Sequence, residues 1–90
     1  MTAPLPLGKV VVTPGALRVL TEARAHPFEY LARHATGDWG ELCAFDCRQN
    51  EIALRDGYRV LSSYDVLQGR VWVITEADRS VTTILLPEEY

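Results

Sequence analysis

The stretch that decides the fold is YRVLSSYDVLQGRVWVITEADRSVTTILL, residues 58–86. It contains three runs rich in Val, Ile, Thr, Tyr and Trp, at residues 58–67, 70–77 and 80–86. β-branched and aromatic side chains favour extended backbone, so each run predicts a strand. Only Gln68-Gly69 and a turn around Asp78-Arg79 separate the runs. Connections this short join antiparallel neighbours, and the sequence therefore predicts an antiparallel meander.

These strands are apolar on both faces. With an assumed register, one face carries Val71, Val73, Val81 and Leu85, and the other carries Trp72, Ile74, Ile84 and Leu86. Helices of the same chain can cover one face. We expect a partner or a second subunit to cover the other.

One strand and two helices are predicted before residue 38. The run KVVVT at residues 9–13 predicts a short strand. Thr13 then serves as the N-cap of a helix that opens with Pro14 and ends before Pro27. Pro27 opens a second helix, and Gly37 takes the left-handed position at its end.

The segment HATGDWGELC, residues 34–43, joins the second helix to a third. We interpret Asp38 as the N-cap of a helix that runs to about Arg55, with Glu41 at its third position, an arrangement that satisfies free N–H groups reciprocally. Two interpretations of Trp39 stay open. Its ring packs over the junction between the helices, or it stands exposed as an anchor for a partner.

The predicted order of elements is β-α-α-α-β-β-β. Helices followed by a C-terminal antiparallel meander make this an α+β fold, a two-layer sandwich. Ninety residues supply one core, so residues 1–90 are expected to form a single domain, with residues 1–8 as an irregular lead-in.

The third predicted helix has two apolar stripes. One consists of Leu42, Phe45, Ile52 and Ala53, and the other of Cys43, Cys47 and Leu54. One stripe faces the sheet. We expect the cysteine stripe, together with Trp39, to contact a partner protein or a second copy of the chain.

The two cysteines do not indicate a metal site or a disulfide. The spacing from His34 to Cys43 and Cys47 lacks the fourth ligand of a structural zinc site. Two cysteines four residues apart on a helix lack good bridging geometry. The interpretation is that they are small apolar residues, and we predict no metal and no cofactor.

No catalytic motif is present. The chain has no nucleophile elbow, phosphate-binding glycine loop or histidine-rich metal motif. Tyr30, Arg33 and His34 are close in sequence, but nothing beside them supplies a matched acid or base, and we interpret them as solvated helix surface. We predict no catalytic residues, and the sequence favours a non-enzymatic protein.

Charge and hydropathy narrow the function further. The chain has one lysine, Lys9, eight dispersed arginines, a net charge of −3 and a pI near 5.2. This argues against nucleic-acid binding, which draws on clustered cations. No apolar run approaches the length of about 20 residues that spans a bilayer. The start of the chain lacks the pattern of a secretory signal, so we expect a cytoplasmic protein with reduced thiols.

The segments RVWVITEADRSVTTILLPEEY, residues 70–90, and LARHATGDWGE, residues 31–41, resemble a group of small uncharacterised proteins of bacterial plasmids, integrative elements and phages. Members carry labels such as plasmid-related protein, or a type I restriction subunit label that so short a chain does not justify. The resemblance extends from Leu7 to Tyr90 and brings no catalytic residue or ligand. It implies an accessory protein of a mobile element, concerned with maintenance, defence or counter-defence.

Three function hypotheses follow. The leading one is a non-enzymatic protein that forms a homodimer or binds another protein, with inhibition of a host defence enzyme as one specific version. The alternative rests on topology, which resembles the ribonuclease toxins of toxin–antitoxin systems. Those toxins use a basic sheet, whereas this one supplies only Arg59, Arg70 and Arg79. The third, a small-molecule binding domain, requires a cavity.

Overall fold

A four-stranded mixed sheet forms the centre of the computed structural model, which describes residues 4–67 and 69–90. Its strands are β1 (Lys9–Val12), β2 (Val60–Val66), β3 (Gly69–Thr75) and β4 (Val81–Leu85). The helices are α1 (Pro14–Glu22), α2 (Pro27–Ala35) and α3 (Ala44–Asp56), and a 3-10 turn covers Pro87–Glu89. The predicted α+β fold and order of elements are confirmed. Residues 1–3 of the predicted lead-in and Gln68 of the predicted turn lie outside the described residues.

The last three strands form the predicted antiparallel meander. Val73 of β3 lies opposite Ser62 of β2 on one side and Ile84 of β4 on the other. β1 pairs in parallel with β4, with Lys9 opposite Val81, so the order across the sheet is β1-β4-β3-β2. The first and last strands of the chain are therefore neighbours, and β1 and β2 form the two edges.

The main core lies between one face of the sheet and helices α1 and α2. Side chains of a strand point alternately to opposite faces, and one alternate set fills this core. Its buried members are Tyr64, Val66, Val71, Val73 and Ile84 from the strands, and Ala16, Leu20, Tyr30 and Leu31 from the helices. Full burial of each aliphatic side chain is worth roughly 1.5–3 kcal/mol, which holds both helices on this face.

The predicted ends of the first two helices are confirmed. Thr13 is the N-cap of α1, and its hydroxyl oxygen accepts a hydrogen bond from the Ala16 N–H at 3.2 Å. Helix α2 ends at Ala35 with Thr36 as its C-cap, and Gly37 follows with a φ of +88°. That left-handed conformation is the one a glycine adopts without steric cost.

Helix α3 begins at Ala44, so the prediction that Asp38 and Glu41 cap it is wrong. The Asp38 carboxylate instead accepts hydrogen bonds from Arg33 Nε at 2.6 Å and from the Gly40 N–H at 3.2 Å. Gly40 has a φ of +72°, which no residue of a right-handed helix adopts. The carboxylate therefore stabilises a turn after α2 rather than the start of α3.

Pairing with the outer edge of β2 explains the late start of α3. The Ser63 N–H donates to the Trp39 carbonyl at 3.1 Å, and the Glu41 N–H donates to the Ser63 carbonyl at 2.6 Å. Gly40 lies between these contacts, where a Cβ would collide with the Ser63 carbonyl oxygen. Backbone that pairs with a strand is not available for a helix, so this long-range contact overrides the local capping pattern.

Asn50 covers the adjacent position on the same edge. Its side-chain amide donates to the Leu61 carbonyl at 2.6 Å, and its Oδ1 accepts from the Leu61 N–H at 3.1 Å. Unpaired edge groups are a template for pairing with another chain. The edge of β2 is thus closed at Leu61 and Ser63 by groups of the same chain.

We expect Asn50→Ala to lower the free energy of unfolding by about 2–4 kcal/mol, because both main-chain groups of Leu61 lose their partner. Urea denaturation followed by circular dichroism measures the change. Gln49→Ala, on the exposed side of the same helix, is the matched control and should change stability by less than about 0.5 kcal/mol. Wild-type stability in the Asn50 variant would contradict this role.

Candidate functional site

The face of the sheet opposite the main core, called here the second face, is also largely apolar. It consists of the other alternate set of strand residues. The apolar members are Val11, Leu61, Trp72, Ile74, Val81 and Leu85, and the polar members are Lys9, Ser63, Asp65, Arg70 and Thr83. The strands are therefore apolar on both faces, as predicted. The register assumed for β4 was wrong, because Ile84 pairs with Val73 in the core and Leu85 pairs with Trp72. Val81 also lies on the second face, while Leu86 packs against the main core.

Tyr90 lies against the second face. Its ring contacts the Trp72 ring edge-on, with 5.7 Å between the centroids. Its hydroxyl accepts a hydrogen bond from Arg59 Nη1 at 2.6 Å. Tyr90 directly follows the 3-10 turn at the end of β4, so this short turn brings its ring back onto Trp72.

The second face is covered unevenly. Ile74 and Leu85 are buried, whereas Leu61 and Trp72 are half-buried and Val11 is 38% exposed. Helices α1 and α2 pack on the other face, and α3 contacts the β2 side of the sheet. Aromatic and aliphatic surface therefore remains accessible on this face.

Charged side chains beside the second face pair with one another. Arg59 Nη2 lies 3.1 Å from the Glu76 carboxylate, and Arg70 Nη2 lies 2.8 Å from the Asp65 carboxylate. Exposed pairs of this kind add little stability, about 0–1 kcal/mol. Their effect on the charge of the surface is larger, because the carboxylates of Glu76 and Asp65 neutralise Arg59 and Arg70.

Arg79, the third arginine of the ribonuclease-toxin hypothesis, is also engaged within the chain. Its guanidinium donates to the carbonyls of Tyr58 at 2.6 Å, Ala53 at 3.0 Å and Glu76 at 3.1 Å. These bonds tie the turn before β4 to the end of α3. A guanidinium held by three carbonyls is poorly placed to bind phosphate.

A cavity of about 310 Å³ adjoins the second face where α3 meets the edge of β2. Its wall includes Leu42, Ile52 and Tyr58, together with Arg59 and Leu61. Leu61 belongs to both surfaces, so the cavity and the second face are continuous. Its volume is at the lower end of the range for ligand pockets.

Trp39 packs over the junction between α2 and α3, which confirms the first of its two interpretations. It is 6% exposed and forms a second cluster with Leu5, Ala53 and Val60. Its ring meets the His34 ring edge-on, with 5.8 Å between the centroids. The interpretation of Trp39 as an exposed anchor for a partner is therefore wrong, although Trp39 and Leu54 line the same cavity.

The predicted stripe of Cys43, Cys47 and Leu54 is only partly a helical stripe, because Cys43 lies outside α3. Cys43 precedes α3 as its N-cap and is exposed, whereas Cys47 is half-buried against the cluster that contains Trp39. Leu54 is 39% exposed and lines a second cavity of about 590 Å³. The stripe was predicted for a helix that starts at Asp38. The later start removes Cys43 from the helix, whereas Cys47 and Leu54, seven residues apart within α3, still share a face.

His34 is fully buried, so the interpretation of Tyr30, Arg33 and His34 as solvated helix surface is wrong. Tyr30 is buried too, and Arg33 is half-buried, with its guanidinium 4.6 Å from the centre of the Tyr64 ring. Only the position of α2 across the sheet brings these residues to the core. The sequence signal that could have located His34 is the presence of Ser62, Thr75 and Thr82 on strands, because buried hydroxyl groups need a hydrogen-bond partner.

Hydrogen bonds run through His34 as an unbroken chain. Its Nδ1 lies 2.5 Å from Ser62 Oγ, and its Nε2 lies 2.9 Å from Thr75 Oγ1. Thr75 Oγ1 lies 2.7 Å from Thr82 Oγ1, and Thr82 donates to the Leu7 carbonyl at 2.7 Å. All four side chains are buried.

The carbonyl at the end of this chain sets the direction of each proton. Thr82 gives its one hydroxyl proton to the Leu7 carbonyl, so it accepts from Thr75. Thr75 has then used its proton and accepts from His34 Nε2–H, which leaves Nδ1 to accept from the Ser62 hydroxyl. The arrangement requires a proton on Nε2, and all of its hydrogen bonds are formed when the imidazole is neutral.

Burial supports the same protonation state. Loss of contact with water, and secondarily the charge of Arg79, lowers the pKa of His34 to about 4. A general base must reach the proton it removes, and no substrate reaches a fully buried imidazole. His34 therefore has a structural role.

Three further findings bear on the site. Among the described residues, no group of three or more His, Cys, Asp or Glu side chains could hold a metal ion. No helix in residues 4–67 and 69–90 is long and apolar enough to cross a membrane. No protein family, curated protein or solved structure matches the chain. Only the chemistry of the molecular surface therefore indicates a function.

We expect the free energy of unfolding to fall as the pH is lowered from about 6.5 towards 4. The unfolded chain binds a proton at His34 near pH 6.5, while the folded chain binds it only near pH 4, so stability is complete above 6.5 and is lost below it. At about 1.4 kcal/mol per pKa unit, the loss amounts to about 3 kcal/mol.

Denaturant unfolding at a series of pH values tests this, with His34→Gln as the comparison. The variant should have the smaller slope between pH 6.5 and 5, where carboxylates titrate least. An NMR titration of the wild-type imidazole provides a second readout. Equal slopes, or protonation of His34 near pH 6.5, would contradict the assignment.

Proposed function

We propose that this chain is a non-enzymatic accessory protein that binds another protein through the second face of its sheet. The half-buried Trp72 carries the proposal, because it lies with Leu61 on apolar surface that α1 and α2 leave uncovered. Tryptophan, tyrosine and arginine dominate the binding energy of protein interfaces. Trp72, Tyr90 and Arg59 form one contact group on this face.

The partner presents an apolar side chain to the cavity beside Leu61 and an apolar surface to Trp72. A central apolar anchor, surrounded by polar groups that exclude water, is the usual arrangement of a protein interface. The cavity of about 310 Å³ provides the place for the anchor. The ion pairs of Arg59 with Glu76 and of Arg70 with Asp65 supply the polar surround.

The charges favour a protein over a nucleic acid as the partner. Arg59 and Arg70 are paired with carboxylates, and Arg79 is bound to three carbonyls. Binding to RNA depends on unpaired cations that displace counterions from phosphates. With a net charge of −3, the chain offers little of that driving force, and this counts against the ribonuclease-toxin alternative.

The resemblance to small proteins of plasmids, integrative elements and phages supplies the biological setting of the proposal. In that setting the chain acts in the bacterial cytoplasm, and the partner is a host protein. A specific form of the proposal is counter-defence, in which the second face occupies the surface of a host defence enzyme. Occupying a surface requires no catalytic residue on the chain that does so.

Binding through the second face is tested by tagged capture from the bacterial host, followed by titration of the purified partner. We expect Trp72→Ala and Leu61→Arg each to weaken binding by about 30-fold or more, because hot-spot residues are worth at least about 2 kcal/mol. Phe28→Ala is the matched control, since Phe28 is a large exposed apolar residue on α2. Circular dichroism and thermal melting confirm that each variant is folded.

Selective loss of binding in the two second-face variants supports the proposal. Equal binding by wild type and folded Trp72→Ala would overturn it, as would an equal loss in Phe28→Ala. Recovery of nucleic acid in place of a protein would favour the alternative. Growth arrest on expression, relieved by Arg59→Gln, would favour it too.

A further inference from the structure

The outer edge of β1 is built differently from the outer edge of β2. At β2, Asn50 and the segment around Gly40 pair with the outward main-chain groups of Leu61 and Ser63. β1 has β4 as its only strand neighbour in the described sheet. Its side chains are exposed on both faces, with Val10 at 40% and Val11 at 38%.

The register with β4 shows which groups of β1 are free to pair. The Lys9 N–H donates to the Ser80 carbonyl and the Thr13 N–H donates to the Ile84 carbonyl, both at 3.0 Å. Odd-numbered residues therefore direct their main-chain groups towards β4. Since successive residues of a strand alternate, the N–H and C=O groups of Val10 and Val12 point outward.

We infer that two copies of this chain pair through β1, antiparallel about a two-fold axis at Val11, to form a continuous eight-stranded sheet. In this register Val10 of one copy exchanges two main-chain hydrogen bonds with Val12 of the other, and symmetry provides two more. Pro14 has no N–H to donate, which ends the ladder beyond Thr13. Within β1, Lys9–Val12, the pairing uses both residues whose main-chain groups point outward, Val10 and Val12.

Charge complementarity supports this register. Lys9, the one lysine of the chain, is exposed, and it forms no ion pair within residues 4–67 and 69–90. The two-fold axis places Lys9 opposite Thr13 of the second copy. The Thr13 hydroxyl donates to the Glu89 carboxylate at 2.7 Å, so that carboxylate lies beside the point that Lys9 reaches. A lysine on an edge strand ordinarily discourages pairing, and here the register supplies its counter-ion.

The same pairing extends the second face. A two-fold axis perpendicular to the sheet keeps the second faces of both copies on one side, so Val11 of each copy joins the two surfaces. The inference rests on the proposed function, because both treat the chain as a protein that binds other proteins. The pairing adds a second copy of the chain as a partner, and it uses the β1 edge rather than the surface around Trp72.

Sedimentation velocity of the full chain over a wide concentration range tests the pairing. We expect a dimer, with Val11→Lys weakening self-association by tenfold or more, because two like charges then lie directly opposite each other across the axis. Leu54→Lys is the matched control, since its exposed fraction of 39% equals that of Val11 within one per cent. It should remain dimeric, and so should Trp72→Ala.

A charge swap tests the register. We expect Lys9→Glu and Glu89→Lys each to weaken self-association, and an equal mixture of the two to form a heterodimer. In that heterodimer both cross-axis pairs are of opposite charge, whereas each single variant alone sets like charges together. Thermal melting of the single variants separates a lost contact from a lost fold.

A wild-type chain that stays monomeric overturns the inference. A dimer that withstands Val11→Lys, or that is lost equally in Leu54→Lys, overturns it as well. A mixture that forms no heterodimer overturns the register at Val11. The outcome is independent of the proposed function, because a dimer that captures no partner contradicts only that function, and a monomer that captures one contradicts only the pairing.

Discussion

The buried chain of hydrogen bonds through His34 is the constraint on which the rest of the structure depends. Its links come from β2, α2, β3 and β4, and it ends at the Leu7 carbonyl just before β1. An unpaired buried polar group costs about 1–3 kcal/mol, so the strands keep the register that pairs every link. A one-residue slip would turn these side chains to the other face. Strand register, the position of α2 and the path into β1 are thereby coupled.

Much of the fold could be predicted because its determinants are local. Thr13 with Pro14 starts a helix, Gly37 ends one, and the β-branched runs after residue 58 make strands in any compact setting. These residues act through φ, ψ and the nearest main-chain groups. The prediction was wrong where a distant residue decides the outcome. Asp38 has the right neighbours for a cap, but the main chain of residues 39–41 pairs with Ser63 instead of forming a helix.

The site was harder to predict, because burial depends on tertiary position. Helical spacing places His34 at the surface of its helix and leaves the position of Trp39 open. The fold puts both rings in contact inside the molecule. The sequence does not distinguish Asn50 from other polar residues of α3, because its role depends on contact with the main chain of Leu61. The excess of apolar strand residues was visible in the sequence. Which of them share a face depended on the register of β4, which the sequence left free.

In these proposals the β1 edge associates through main-chain groups, and the second face associates through side chains. A β1 edge recognises another strand through main-chain groups, which carry little sequence information, so a contact there suits an identical chain whose register is set by Lys9 and Glu89. Discrimination between different proteins requires side chains of defined shape and charge. Those lie on the second face, where Trp72 adjoins the cavity beside Leu61. Because β4 lies between β1 and Trp72 on β3, one copy of the chain can use both surfaces at once, and pairing through β1 presents two recognition surfaces to a single partner.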